Sequence, residues 1–292
     1  MHRISSSYFI KEIDIEKNSV DYESLFSTSI SAVLGYDMEL EKEYHIGIAR
    51  GEIPELVLLP GDPDRARKIA EDFFDDPIEI AKHREYWSYK GLWKGVPIGV
   101  CSTGIGCPSA AIALEELVKV GCKTFIRVGT SGAISHEVKT GDIVIFTASI
   151  RDEGTSKQYV PIEFPAIAHP EVVRALHSAA ERKKIPYHIG IGHSKDAFYS
   201  EHPSYVTEPE VMRQKWVTMR EAGVLATEME SAALFVIGHL RGVRVGCACV
   251  VVGENVVKEA KIIGKPPLDN LVTVALDALM SLNSSNLDIT EP

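Results

Sequence analysis

The sequence predicts one α/β domain organised around a largely buried mixed sheet. Short apolar runs that read as strands interleave with helical segments along most of the chain. No linker separates two cores, and no internal repeat is present. The 292 residues suit one large α/β domain or two smaller ones, and 45% hydrophobic residues fill a real core.

Residues 1–40 are polar and mixed in charge with no sustained period, and read as an N-terminal extension. The domain is placed at 41–285, with a C-terminal tail at 286–292. Glu-Leu-Val-Leu-Leu-Pro (55–60) is a strand stopped by the Gly61-Asp62-Pro63 turn. Arg65–Phe73 reads as a helix, and Tyr86–Leu92 with Val96–Thr103 as a hairpin. Pro108 opens a helix over Ser109–Val120, which Gly121 ends. Thr124–Val128 and Asp142–Ser149 read as buried strands, with Gly129-Thr130-Ser131-Gly132 as the loop after the first. Further helices are expected over Glu171–Lys184, Val211–Glu221, Met229–Leu240 and Leu268–Leu282, and strands over Tyr187–Gly192 and Val243–Val252. In such sheets ligands lie at the carboxyl ends of strands, which directs attention to the loops at 60–65, 129–132 and 252–255.

Charge narrows the function. With 41 acidic against 31 basic residues the chain carries −10, which argues against nucleic acid or an anionic membrane as partner. Small anions stay open, because a few clustered arginines bind phosphate on an acidic protein. Composition excludes collagen-like, coiled-coil and disordered classes. The five cysteines (Cys101, Cys107, Cys122, Cys247, Cys249) include no CxxC pair. Cys247 and Cys249 fall on one strand face and read as buried thiols, so no metal is expected. No signal-peptide core and no membrane-length apolar stretch is seen, and free thiols fit a reducing compartment, so a cytoplasmic location is expected.

Three segments carry candidate chemistry. Gly61-Asp62-Pro63-Asp64-Arg65 follows a strand and enters a helix, where backbone amides and the Arg65 fork suit an anion. An ordinary strand–turn–helix joint is the competing reading. Arg127 sits inside an apolar strand, which is costly unless it meets an anion or a structural carboxylate. Beside it, Thr130 and Ser131 offer hydroxyls at the strand end. Glu228, Met229 and Glu230 precede an apolar helix. Glu230 is suited to accept from two vicinal sugar hydroxyls over Met229, or else to complement the helix dipole. Residues 102–109 lack the third glycine of a dinucleotide loop, and the chain has no HExxH, Walker or GxSxG motif. His83, His136, His169, His177 and His239 are scattered and read as surface or satisfied core residues.

Taken together, LPGDPDR at 59–65, HREY at 83–86, STGIGCPS at 102–109, FIRVGTSG at 125–132, IEFPA at 162–166, DAFY at 196–199 and TEMESAAL at 227–234 resemble the nucleoside phosphorylase family, most closely the uridine phosphorylases. The resemblance runs from about His45 to about Leu282. It implies an α/β sandwich around a mixed, partly barrelled sheet, and reversible phosphorolysis of uridine to uracil and ribose 1-phosphate by a pentosyltransferase without an organic cofactor. It further implies that Gly61, Arg65, Arg127 and Thr130 hold the inorganic phosphate co-substrate, with Arg84 reaching in from a neighbouring subunit. Glu230 and Met229 then bind ribose, with His45 of the neighbour near the 5′ hydroxyl. Ser131, Gly132, Phe198, Glu228 and Val252 surround the base. Shared sites imply a homo-oligomer, a dimer or a hexamer, and leave open a monovalent cation near Glu85 and Ser109.

The departures fall where the base is read. These enzymes usually place a glutamine and, two residues on, an arginine after the Phe-Tyr pair; here Glu201 or His202 takes the glutamine position and no arginine follows. The usual late Asn-Arg pair is also missing after Val252. A purine nucleoside phosphorylase using Glu254 as acid is therefore the alternative. A hydrolytic nucleosidase and a non-catalytic nucleoside-binding or storage protein are the more remote ones.

Overall fold

The computed structural model describes residues 41–254, 261–262, 264 and 266–284; the expected extension at 1–40 and tail at 286–292 lie outside them. In chain order the strands are β1 (Leu56–Leu59), β2 (Asp75–His83), β3 (Tyr86–Trp93), β4 (Val96–Cys101), β5 (Thr124–Ala133), β6 (Ile143–Asp152), β7 (Ala166–Ile167), β8 (Tyr187–Lys195), β9 (Ala226–Glu228), β10 (Arg244–Glu254) and β11 (Lys261–Ile262). The helices are α1 (Pro63–Phe73), α2 (Cys107–Lys119), α3 (Pro170–Lys183), α4 (Pro209–Glu221), α5 (Ser231–Leu240) and α6 (Asp269–Ser284).

The continuous apolar runs are explained by burial on both faces. All four residues of β1 are buried, and they alternate between two cores. Val57 and Leu59 pack with α2 and α5, in a core that also takes Phe125, Phe146, Cys247 and Cys249. Leu56 and Leu58 pack with α1, α3 and α6, beside Ile126, Ile145 and Val250. The sheet is thus sandwiched between two helical layers, as the family resemblance implied. A smaller third core seats Trp216 of α4 against Ile134 and Val224.

Within that sheet, β10, β6, β8, β9 and β5 pair in turn, and β10 pairs back to β5, closing a five-stranded ring. From β5 an open wing continues through β1, β4, β3 and β2. The strand common to both parts is β5. One edge pairs in parallel with β10 from Thr124 to Gly132. The other edge holds β1 at Thr124–Arg127 and β9 at Gly132 and Ala133. Residues 128–131 lie between those two partners, and the sheet opens there.

Two sequence expectations change. The expected loop at 129–132 is strand, because β10 continues alongside it through Val250↔Thr130 and Val251↔Ser131 before a register shift at Gly253. β2 was not anticipated: it is mostly exposed, so its sequence carries charges in place of an apolar period. Elsewhere boundaries move by a few residues. β6 runs on past Ser149 because buried Arg151 donates to Ser156 Oγ and to the carbonyls of Val160, Pro161, Ile162 and Phe164, tying down the following loop. All five cysteines are buried and free, and Cys247 and Cys249 sulfurs lie 3.7 Å apart.

Packing inside the ring is close enough to test. A Cβ added at Gly192 of β8 runs into the Phe146 ring, which is itself fully buried. Gly192→Ala is expected to destabilise the protein by about 1–3 kcal/mol through overpacking. Urea unfolding of the two proteins checks this: the midpoint should fall with little change in slope.

Candidate active site

A cleft of about 1110 Å³ lies at the carboxyl ends of β1, β5, β8, β9 and β10. It gathers segments far apart in sequence: Gly61 and Arg65 after β1, Arg127 and Thr130–Gly132 of β5, Glu228–Glu230 after β9, and Val252–Glu254 of β10. Phe198, Glu201 and His202 also line it. His45 and Arg84 do not. His45 Nδ1 meets Glu116 Oε1 at 2.6 Å, and Arg84 is exposed in the β2–β3 turn at φ 53°.

Arg127 organises the centre. Phe125 and Arg127 point to the same face of β5, beneath α2 and α5, so the guanidinium enters an apolar layer. Gly129 makes this fit: a Cβ there would lie 2.9 Å from Arg127 Nη2. Arg127 Nε donates to Glu228 Oε2 at 2.8 Å, and Nη2 pairs with Glu230 Oε2. Nη1 is buried without a hydrogen-bond partner. Burial works against the charge, but Glu230 and Glu228 overcome it and hold the arginine firmly cationic. Arg65 stands beside it, its pKa lowered by burial and by Arg127 itself. Two mutually repelling guanidinium groups, one of them with an unpartnered donor, suit an anion chemically. Ser131 Oγ, also buried and unpartnered, lines the same cleft.

The two glutamates divide the roles foreseen for one. Glu228 caps α5: its carboxylate accepts from the N–H groups of Glu230 and Ser231. It also accepts from Ser194 Oγ at 2.5 Å and Ser231 Oγ at 2.6 Å. With Arg127 added, its lone pairs are filled, and the carboxylate positions Arg127 at the cleft wall. Burial would raise its pKa, but Arg127 and the serines hold it down at about 2. Glu230 is the cap residue of α5 yet makes no side-chain cap bond. Its carboxylate turns into the cleft, where Gly106 N–H donates to Oε1 at 2.6 Å. Burial and the neighbouring Glu228 raise its pKa.

At the other end of the cleft, charged side chains are already paired. Glu201 pairs with Lys195, the last residue of β8, at 2.5 Å. Lys195 was not singled out from sequence, although it lies three residues before Phe198; nothing in its local pattern marks it as buried. Tyr199 and Tyr205 join Phe198 and His202 in an aromatic group at the rim. Glu254 accepts from Thr140 N–H at 2.8 Å, and Thr140 lowers its pKa, which suits it poorly to act as a purine acid. Ser109 Oγ lies 3.1 Å from Glu85 Oε1 and 2.5 Å from Thr103 O. Among the described residues Cys107, Glu153 and Asp196 bring potential metal ligands within 4.8 Å. Glu153 is already committed to Ser156, and burial pushes the Cys107 thiol far up, so the trio makes no case for a metal.

A sequence model of the phosphorylase superfamily matches residues 55–269. The chain belongs to that superfamily. The uridine phosphorylase of Thermococcus kodakarensis is 45% identical over 243 residues, 82% of this chain and 86% of that protein. That of Treponema pallidum is 43% identical over 243 residues, 82% of this chain and 94% of its own. A guanosine phosphorylase of Halorubrum lacusprofundi is 40% identical over 222 residues, 76% of this chain and 88% of its own. No helix among the described residues of this phosphorylase is long and apolar enough to cross a membrane.

The Glu228 cap gives the phosphorylase a measurable acid dependence. Because its folded pKa, about 2, lies below the ordinary 4.5, its contribution is complete above pH 4.5 and is lost as pH falls toward 2. In Glu228→Gln the stability-against-pH curve should be flatter across that window. Chemical unfolding at stepped pH reads the slope directly, and a slope equal to wild type would remove Glu228 from the linkage.

Proposed function

We propose that this phosphorylase cleaves uridine with inorganic phosphate, giving uracil and ribose 1-phosphate reversibly. The observation that carries the reading is the juxtaposition of Arg65 and Arg127 in a cleft also lined by Glu230, with Arg127 Nη1 left without a partner. A phosphate oxygen attacks the anomeric carbon as the glycosidic C–N bond breaks, and the bonding electrons leave with the base. Arg65, Arg127, Thr130 and the Gly61 backbone fix the dianion, so the protein supplies mainly positioning and electrostatics. Glu230 accepts from the 2′ and 3′ hydroxyls, with Met229 beneath the sugar. Phe198, Gly132, Ser131 and Val252 enclose the base, with Glu201 and His202 at its edge.

The proposal extends to assembly. Arg84 and His45 lie outside the cleft of their own chain, and we assign both to the site of a neighbouring copy in a dimer or hexamer. A monovalent cation near Glu85 and Ser109 belongs to that boundary. A cytoplasmic place in nucleoside catabolism and pyrimidine salvage completes the reading. The guanosine phosphorylase relative keeps a purine substrate as the second reading. A hydrolase is disfavoured, because water as nucleophile has no use for paired arginines.

Base release from uridine, thymidine, inosine, guanosine and adenosine, with and without phosphate, tests this. Uridine should lead, and omission of phosphate should abolish turnover. Inosine or guanosine ahead by about tenfold would transfer the assignment to purines. Arg127→Ala should lower kcat/KM by roughly 30- to 1,000-fold, about 2–4 kcal/mol, and Arg127→Lys should restore little because it lacks the planar fork. Arg84→Ala should be inactive alone. Mixing it with Arg127→Ala under subunit exchange should regenerate some active sites, and exchange seen by native mass spectrometry without turnover would place Arg84 outside the neighbour's site.

A further inference from the structure

We propose that Lys195 and Glu201 together read the base edge and select for an N–H beside a carbonyl. The inference rests on the phosphorolysis reading and specifies which bases that site accepts. Both side chains are more than nine-tenths buried, although the cleft around them is open. A buried ion pair is costly to assemble and adds little net stability against apolar residues of equal size. Its presence on a cleft wall therefore points to recognition.

The geometry fixes which hydrogen-bonding groups the pair presents. Lys195 Nζ donates to Thr227 Oγ1 at 3.0 Å and pairs with the Glu201 carboxylate at Oε1. An ammonium has three protons, so one remains. Glu201 Oε2 takes no hydrogen bond among the described residues. One donor thus stands next to one acceptor. The complementary ligand edge is a ring N–H adjacent to C=O, the lactam of uracil and equally of hypoxanthine or guanine. Cytosine and adenine present a ring nitrogen acceptor beside an amino group. They would face acceptor against acceptor and donor against donor.

The lysine is held in place from behind. Thr227 Oγ1 accepts from Lys195, so its own proton goes to His193 Nδ1, 2.9 Å away. His193 must then donate from Nε2 to Asp152 Oδ2 at 3.0 Å, and Asp152 is also bound by Lys215. His193 is fully buried with Trp216 edge-on at 5.1 Å. Burial lowers the His193 pKa, in keeping with this single neutral tautomer. These bonds hold Lys195 in the cleft wall, so the proton used by neither Thr227 nor Glu201 is available to a ligand.

The test measures equilibrium binding and turnover in the same proteins. Wild type should bind uracil far more tightly than cytosine, and uridine more tightly than 3-methyluridine, which lacks the ring N–H. Glu201→Gln keeps the size and the bond to Lys195 but turns an amide N–H toward the ring. It should weaken uracil by about tenfold or more and narrow the uracil-to-cytosine ratio by a similar factor. Phosphate affinity, measured by calorimetry, should stay at the wild-type value. Lys195→Met tests the carbonyl half and should likewise weaken uracil but not phosphate. The wild-type comparison of uridine with 3-methyluridine needs no substitution, so it stands even if a variant misfolds. Equal affinity for those two ligands, or a Glu201→Gln protein with uracil and cytosine affinities both within threefold of wild type, overturns the proposal. Wild type that binds uracil selectively yet releases no base with phosphate overturns phosphorolysis and leaves the reading pair standing.

Discussion

The position of Arg127 between two glutamates is the constraint on which the site depends. A guanidinium on the apolar face of a central strand is stable only when its charge is answered locally. Glu228 gives that answer from the end of β9, and Glu230 from the cap position of α5. Because Glu228 also caps α5, the helix, the strand end and the arginine are aligned by one carboxylate. Removing any member leaves a buried charge or an uncapped helix start, so the cluster behaves as a unit.

The fork in β5 gives this cluster access to solvent. A strand with two full partners would bury its backbone between neighbours. Here one edge exchanges β1 for β9 across 128–131, which opens the sheet beside the guanidinium. Small residues occupy that interval, and Gly129 gives up a side chain so that Arg127 can fold across it. The closed ring on one side and the open wing on the other hold the gap rigidly. Arg127 is thereby held on its two glutamates with Nη1 left without a partner.

Much of this was legible in the sequence because its signals are local. A buried arginine within Phe125–Val128, the glycine turn after β1 and the Thr227–Glu230 run each announce an energetic problem that only tertiary structure solves. The order of those segments, together with alternating strands and helices, identified the architecture. What stayed hidden depends on distant partners. The exposed β2 has no apolar period, and 129–132 looks like a loop until β10 is laid beside it. Lys195 looks like any lysine at a strand end. Its burial comes from Thr227 and Glu201, neither adjacent in sequence. Glu228 and Glu230 look equivalent until one is seen to cap the helix and the other to face the cleft.

Charge within the cleft is closely paired. Its lining includes three fixed cations, Arg65, Arg127 and Lys195, against six carboxylates, those of Asp62, Glu85, Glu201, Glu228, Glu230 and Glu254. Lys195 is spent on Glu201, and Arg127 is shared between two glutamates. A dianion entering that field meets well-placed donors but little net positive charge, and at interior dielectric the deficit is expensive. Arg65 alone does not offset it. Each of the three cations in the cleft is thus already answered by a carboxylate or set against another guanidinium.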